Sequence, residues 1–368
     1  MSVSYGGDSI TFADGSVNSS GFIGHRNRII NGAMVLDQRN AGASVTNVAA
    51  SGTYALDRWR YYGTSASKFT VQQNAGSVTP PNGYTNYLGI TSLSANTPAA
   101  TDEYIVQQFI EGYNIADLGW GAAGASSVTL SFWVRSSLTG TFGGVVKNNA
   151  GDRSYPFSYT INSANTWEYE TITIPGDTSG TWLTTNGRGL TMIFNLGTGS
   201  TYLQTANAWT ASFANGATGN VNILGTNGAT FYITGVQLER GSTASSFEYR
   251  SYGAELALCQ RYYEKSYDID TVPGTSVSDN KGVVMFRGSG VNSRDYVPIY
   301  FKQTKRDAPT VTIFSSTGAS GFYRDVETPT NLAAQVNGSG TSLTVMQSNS
   351  TATTNKQCSF LWTASSEL

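Results

Sequence analysis

Apolar and polar residues alternate with period two along several stretches of the chain, the pattern of strands with one buried and one exposed face. The clearest lies at 126–135, where Val128, Leu130, Phe132 and Val134 alternate with Thr129, Ser131, Trp133 and Arg135. Leu190, Met192, Phe194 and Leu196 alternate in the same way with Thr191, Ile193 and Asn195. Over 229–239 the apolar phase runs through Phe231 and Ile233, then slips by one to Val236 and Leu238. Gly235 sits at the slip, which predicts a β-bulge. Loops such as 197–199 and 215–219 are rich in Gly, Asn and Ser. The period changes once. Over 254–263 Leu256, Cys259 and Tyr263 share one helical face, with Leu258 and Tyr262 beside them. Strand patterns return at 282–287, 310–314, 342–346 and 359–363.

These elements predict an all-β fold in four parts. Residues 1–33 form a short N-terminal docking arm, with a strand-like stretch at 9–12, a turn at 13–16 and the basic run His25-Arg26-Asn27-Arg28. Alone, this part is too short to hold a core. Residues 34–248 make a jelly-roll β-sandwich, residues 249–265 a helical linker, and residues 266–368 a second, smaller β-sandwich.

Composition sharpens this picture. Charged residues are 12% of the chain, against roughly 25% in ordinary soluble domains. The polar surface must therefore be built from Ser, Thr, Asn, Gln and the 41 glycines, an alphabet that favours turns and strands over long helices. With 22 basic and 24 acidic residues and no run of either sign, the basic stripe that nucleic acid requires is missing. A charge-poor surface suits neutral polar partners such as glycans, or packing against copies of the same chain. Cys259 and Cys358 read as two buried thiols, or else as one disulfide closing a long loop. The first residues lack the basic start and apolar core of a signal peptide, and no apolar run approaches the ~20 residues of a membrane span.

His25 is the single histidine, which removes Ser-His-Asp, Cys-His and multi-histidine metal chemistry, and no cofactor motif is present. Glycoside hydrolysis needs only two carboxylates, and Asp102 with Glu103, Glu168 with Glu170, and Asp325 with Glu327 are the candidate pairs. Spacing of i, i+2 is equally expected on a solvated strand face. The prediction is therefore a chain with no catalytic centre. Sugar recognition instead uses aromatic faces with nearby polar groups. Trp133 and Arg135 occupy the outward phase of their strand, Tyr155 and Tyr159 follow a turn, and Tyr323 with Arg324 lie in a mixed aromatic and charged stretch. These six are the glycan-binding candidates.

Two segments resemble phage tail-fibre and minor tail proteins. One is Asn27 to Met34 together with Tyr54-Ala55-Leu56-Asp57-Arg58-Trp59. The other is Val236-Gln237-Leu238-Glu239-Arg240-Gly241, then Phe247-Glu248-Tyr249-Arg250, then Glu255 to Tyr263. Together they bracket 27–265 and resemble the frame of a carbohydrate-binding-module-like jelly roll. Within it Trp59 is expected to anchor the core, and Phe247, Leu256 and Tyr262 to pack the helix onto the sandwich. The resemblance implies a virion tail protein made in the host cytoplasm. Its arm would dock to other tail or baseplate proteins, its body would bind host surface polysaccharide, and it would form a homotrimer. A purely structural virion component, an adaptor or capsid-decorating fibre, is the alternative; a polysaccharide depolymerase is the third reading.

Overall fold

The alternating stretches form strands in the computed structural model, which describes residues 26–50, 52–278, 281–289, 294–348 and 355–368, and the backbone of three short strands before them. Those three, β1 (Ser4–Gly6), β2 (Ser9–Thr11) and β3 (Val17–Asn18), make a small antiparallel sheet. His25 and most of the expected docking arm lie outside the described residues.

The sandwich begins with β4 (Val45–Thr46), β5 (Thr53–Tyr54), β6 (Arg60–Gly63), β7 (Phe69–Gln73), β8 (Leu88–Ser92) and β9 (Tyr104–Glu111). It continues with β10 (Val128–Ser136), β11 (Gly140–Lys147), β12 (Ser154–Ile161), β13 (Glu168–Ile174) and β14 (Arg188–Asn195). A short parallel pair, β15 (Leu203–Gln204) and β16 (Gly216–Ala217), precedes β17 (Thr230–Arg240). The long strands pair as two six-stranded sheets, β13-β10-β17-β8-β7-β4 and β12-β11-β14-β9-β6-β5. The chain changes sheet from β4 to β5, β6 to β7, β8 to β9, β9 to β10, β10 to β11, β12 to β13, β13 to β14 and β14 to β17, which is jelly-roll connectivity. Between the sheets, Phe132 meets Phe194 edge-on at 5.0 Å, and Trp59 anchors the core as expected. The β10–β17 register shifts where Gly235, at φ +61°, inserts the extra residue.

The expected boundary at residue 33 falls inside this sandwich. Ile29 and Met34 belong to its core, and the Arg28 N–H donates to the Leu238 carbonyl at 2.8 Å. The Val236 N–H donates to the Gly32 carbonyl at 3.0 Å. The reason is that β8 pairs only with Thr230 to Ile233, so β17 beyond its bulge needs another partner. A Cβ on Gly32 would lie 2.2 Å from the Val236 oxygen, so only glycine can run this close.

Helix α1 (Tyr252–Gln260) is capped by the Ser251 hydroxyl, which accepts from the Ala254 N–H. It stops short of the expected residue 263, because Tyr263 opens β18 (Tyr263–Lys265). Seven strands follow: β19 (Val284–Arg287), β20 (Tyr296–Tyr300), β21 (Thr310–Phe314), β22 (Phe322–Asp325), β23 (Thr330–Ser339), β24 (Leu343–Ser348) and β25 (Gln357–Ser365). Together with β18 they form one sheet curled about a core of Ile313, Tyr323, Met346, Phe360 and Trp362. Strand β25 is its axis, with β18 and β19 along one edge and β21 and β22 along the other. Cys259 and Cys358 are buried in different cores.

Buried charges join the parts. Arg261 and the Tyr262 hydroxyl both donate to the Glu111 carboxylate, the arginine at 2.6 and 2.9 Å and the phenol at 2.7 Å. Glu264 and Lys305 form an ion pair with neither side chain exposed. Burial pushes the Lys305 ammonium below its ordinary value, opposed by Glu264. Removing one member of such a pair strands the other charge, whereas replacing both with apolar side chains does not. Lys305→Met should therefore lower the denaturant-derived stability by about 3 kcal/mol, and Glu264→Leu with Lys305→Met should recover most of the loss.

Candidate functional site

The six glycan-binding candidates separate in space. Tyr155, Tyr159 and Tyr323 are interior, 4%, 5% and 2% exposed, and none of them can face a ligand. On β12 the inward phase is Tyr155, Phe157, Tyr159 and Ile161, all buried. Tyr155 packs against Trp209 at 5.2 Å and Tyr159 against Phe132 at 5.0 Å, while Tyr323 packs against Phe286 at 5.5 Å in the second core. Arg324, half-buried, stands on the C-terminal sheet and reaches Asn331 at 3.4 Å. Trp133 and Arg135 alone share a surface, the outer face of the first sheet.

That face carries an aromatic strip. Trp133 is half-buried and meets its cross-strand partner Tyr169, 44% exposed, at 5.3 Å. Thr234 is the β17 partner of Trp133, and the Tyr84 ring lies over the adjacent Gly235, where a Cβ would come within 2.5 Å of the phenol oxygen. Glycine there serves the bulge and the ring at once. Tyr84 then packs on Phe247 at 5.4 Å and on Tyr249 at 5.6 Å. Tyr249 is 59% exposed and held by its hydroxyl, which donates to the Gly83 carbonyl at 2.7 Å. Burial, with Tyr249 and Tyr169 nearby, pushes the Tyr84 phenol well above its usual range, so it stays neutral. Behind the strip, Arg135 lies 5.6 Å over Tyr232, which packs on Tyr87, and Tyr87 in turn meets Trp167.

Beside the strip opens a cavity of about 250 Å³, lined by Tyr84, Thr85, Phe247, Tyr249, Arg250 and Glu255 among others. Its wall is aromatic and its polar edge is the Arg250–Glu255 pair, 3.3 Å apart. Phe247 thus forms part of the cavity, where the sequence suggested helix packing. Tyr262 and Leu256 do pack the helix, against Ile30 and Leu36. Tyr84, Tyr169 and Tyr249 were not anticipated: Tyr84 and Tyr249 lie in loops and Tyr169 on an edge strand, where only the cross-strand register brings it to Trp133.

Of the six carboxylates in the candidate pairs, five accept hydrogen bonds from neighbouring protein groups, and Glu170 stands half-buried beside Glu168. Glu168 accepts from the Asn162 and Ser163 N–H groups at 3.0 and 2.7 Å. Asp102 accepts from the Ala99 N–H, and Glu103 from the Asn215 amide. Asp325 accepts from the Glu327 and Thr328 N–H groups, and Glu327 from the Gln357 N–H. On the second sheet, Lys147 is 6% exposed and donates to Asn215 Oδ1 at 2.6 Å. Burial pushes its ammonium down to about 7, with Glu103 opposing and Arg188 adding repulsion.

No family model and no curated protein sequence matches the chain. Solved structures similar to it include the enzymatically active domain of tailspike protein 4 from bacteriophage CBA120, at 12% identity and a TM-score of 0.32 over 59% of this chain. The chain spans 22% of that domain's length. A putative sugar binding protein from Bacteroides thetaiotaomicron matches at 11% identity and a TM-score of 0.32, covering 58% of this chain and 100% of the other. The carbohydrate-binding module CBM4 matches at 17% identity and 0.28, covering 57% and 98%.

Two predictions follow from the burial pattern. The Tyr159 hydroxyl is buried without a partner. Tyr159→Phe should then stabilise the chain by about 1 kcal/mol, while Tyr159→Ala should cost about 3–5 kcal/mol in denaturant unfolding. The second concerns Lys147. A folded-state value near 7, against 10.5 in the unfolded chain, means that the unfolded state binds the proton more tightly. Stability measured against pH should rise from about 7 towards 10.5, and Lys147→Met should flatten that rise.

Proposed function

We propose that the chain is a glycan-binding subunit of a bacteriophage tail fibre or spike, without a catalytic centre of its own. The observation that carries the glycan half is the strip of Trp133, Tyr169, Tyr84 and Tyr249 with its adjoining cavity. Aromatic faces bind the apolar sides of pyranose rings, and the polar edge of Arg250, Glu255 and Thr85 suits their hydroxyls. Neutral phenols in a charge-poor surface let this face take sugar rings by stacking, with no charge needed at the strip itself. The virion half is supported by the sequence resemblance to tail-fibre proteins. On this reading the N-terminal residues dock to tail or baseplate proteins, and the subunits associate as a homotrimer on a virion assembled in the host cytoplasm. A trimer would present three strips at once, so weak single contacts would add through avidity.

The test is size-exclusion chromatography of labelled host surface polysaccharide with and without the protein. A shift of intact polymer to larger size is expected, and Trp133→Ala or Tyr249→Ala should weaken the interaction about tenfold. Shortened polymer would overturn the non-catalytic reading. An unchanged profile would favour the purely structural virion component.

A further inference from the structure

The outer face of the second sheet bears a feature that the aromatic strip does not use. Arg60 of β6 and Arg188 of β14 set their guanidinium groups over one ring, Phe109 of β9, at 5.3 and 3.9 Å from its centroid. Both arginines are half-buried. Among the described residues neither side chain has an ion pair or a hydrogen bond, and the Arg188 Nε is buried without a partner. No carboxylate acts on either group. Arg60 is governed by burial, then by Tyr54 and Tyr62; Arg188 by burial, then by Arg60 itself and Tyr54. Burial holds both guanidiniums below their ordinary value, and Arg60 adds repulsion at Arg188.

Such a pair costs the fold stability unless something neutralises it. By contrast, Arg39, Arg58, Arg153, Arg250 and Arg261 each meet a carboxylate. The floor between the two arginines is also polar and unsatisfied. Gln107, the ladder partner of Arg60, is 4% exposed, and Thr191, the partner of Phe109, is 0% exposed with its hydroxyl buried and unpartnered. Gly52 closes over Arg60 so tightly that a Cβ would lie 1.5 Å from the guanidinium. Tyr62, half-buried beside Arg60 at 5.9 Å, offers an apolar face next to the charges.

We infer that Arg60 and Arg188 form a binding site for the carboxylate of an acidic sugar residue. Two guanidiniums supply the paired donors that a carboxylate accepts best, and Tyr62 suits the flank of a pyranose ring. The sugar identity rests on the glycan-binding reading; the oxyanion site stands on the arginine pair itself.

Thermal unfolding of the full chain tests this with sodium glucuronate, glucose and sodium phosphate, each at ionic strength matched with sodium chloride. At about ten times its Kd, glucuronate should raise Tm by ~2 °C above the chloride control, and glucose should not. Arg60→Gln with Arg188→Gln should abolish the shift while leaving the unliganded Tm equal or higher, because a repulsion is removed. Arg188→Gln alone serves where the double variant does not fold. A native chain without the glucuronate shift, or a double variant that keeps it, overturns the site. A phosphate shift without a glucuronate shift overturns the sugar assignment and leaves a phosphate-bearing ligand. Trp133→Ala should keep the glucuronate shift even as it weakens polymer binding, so the two readings fail separately.

Discussion

Residues 27–37 have no regular secondary structure and yet run mostly buried, so their backbone groups must find partners that no ladder supplies. The rest of the sandwich is arranged around that demand. Asn27 donates to the Val236 carbonyl and accepts from the Ile29 and Leu238 N–H groups. Gln108 both donates to and accepts from the Ile30 backbone, at 2.9 and 2.8 Å. Asn31 bridges the Leu36 and Asp57 carbonyls, its own N–H donates to Glu255, and its carbonyl accepts from the Trp59 indole at 3.0 Å. Arg250 donates to the Asn27 and Ile29 carbonyls. Apart from Gln108 and Leu36, these residues belong to the two segments singled out in the sequence, and each supplies what another lacks. A lost partner here leaves a buried group unsatisfied, at about 1–3 kcal/mol.

The same logic accounts for the scarcity of surface charge. Asp57 meets Arg39, Glu367 meets both Arg39 and Arg58, and Asp177 meets Arg153, with the acidic member buried each time. Asp37 accepts from the Asn40 and Gly42 N–H groups in a turn. With 46 charged side chains in all, 22 basic and 24 acidic, this many set inside leaves an exterior of neutral polar groups. On such a surface the aromatic strip of one sheet and the uncompensated arginines of the other are the features that differ chemically from their surroundings.

Legibility followed locality. The strands β10 and β14, the bulge at Gly235 and the single helix could be read from periodicity, because each is decided by its own residues. The inward phase of Tyr155, Phe157, Tyr159 and Ile161 was equally readable, but the position of the two tyrosines after a turn suggested that they face a ligand. What could not be read was set by register. Trp133 stands beside Tyr169 because β10 pairs with β13 at that offset, and Arg60 approaches Arg188 only through β9 between them. Strands β20, β22 and β23 were not foreseen, because although their burial alternates, aromatic or small residues such as Tyr296, Tyr300, Phe322 and Ala333 occupy the outward phase and blur the contrast. The boundary at residue 33 failed for a related reason: a buried segment with no period carries no signal of its burial.

Closure of the sandwich decides where recognition can occur. Trp120, Trp182 and Trp209 pack at 4.6–5.7 Å with Tyr155 beside Trp209, making an aromatic plug that leaves Trp120 and Trp182 buried. Helix α1 and the strand after it cover the segment around Ile30 and Leu36, tied by Arg261 to Glu111. With these regions packed, the aromatic strip on the first sheet and the half-buried Arg60–Arg188 pair on the second remain as ordered features open to a partner. A sheet face is flat and its side chains are fixed by their ladder, so little conformational entropy is lost when it binds an extended chain. That geometry suits a polymer lying across several strands better than a small molecule enclosed in a pocket. On the proposed reading it also separates the two determinants: sugar rings stack along one face, and the charge of an acidic residue is read on the other.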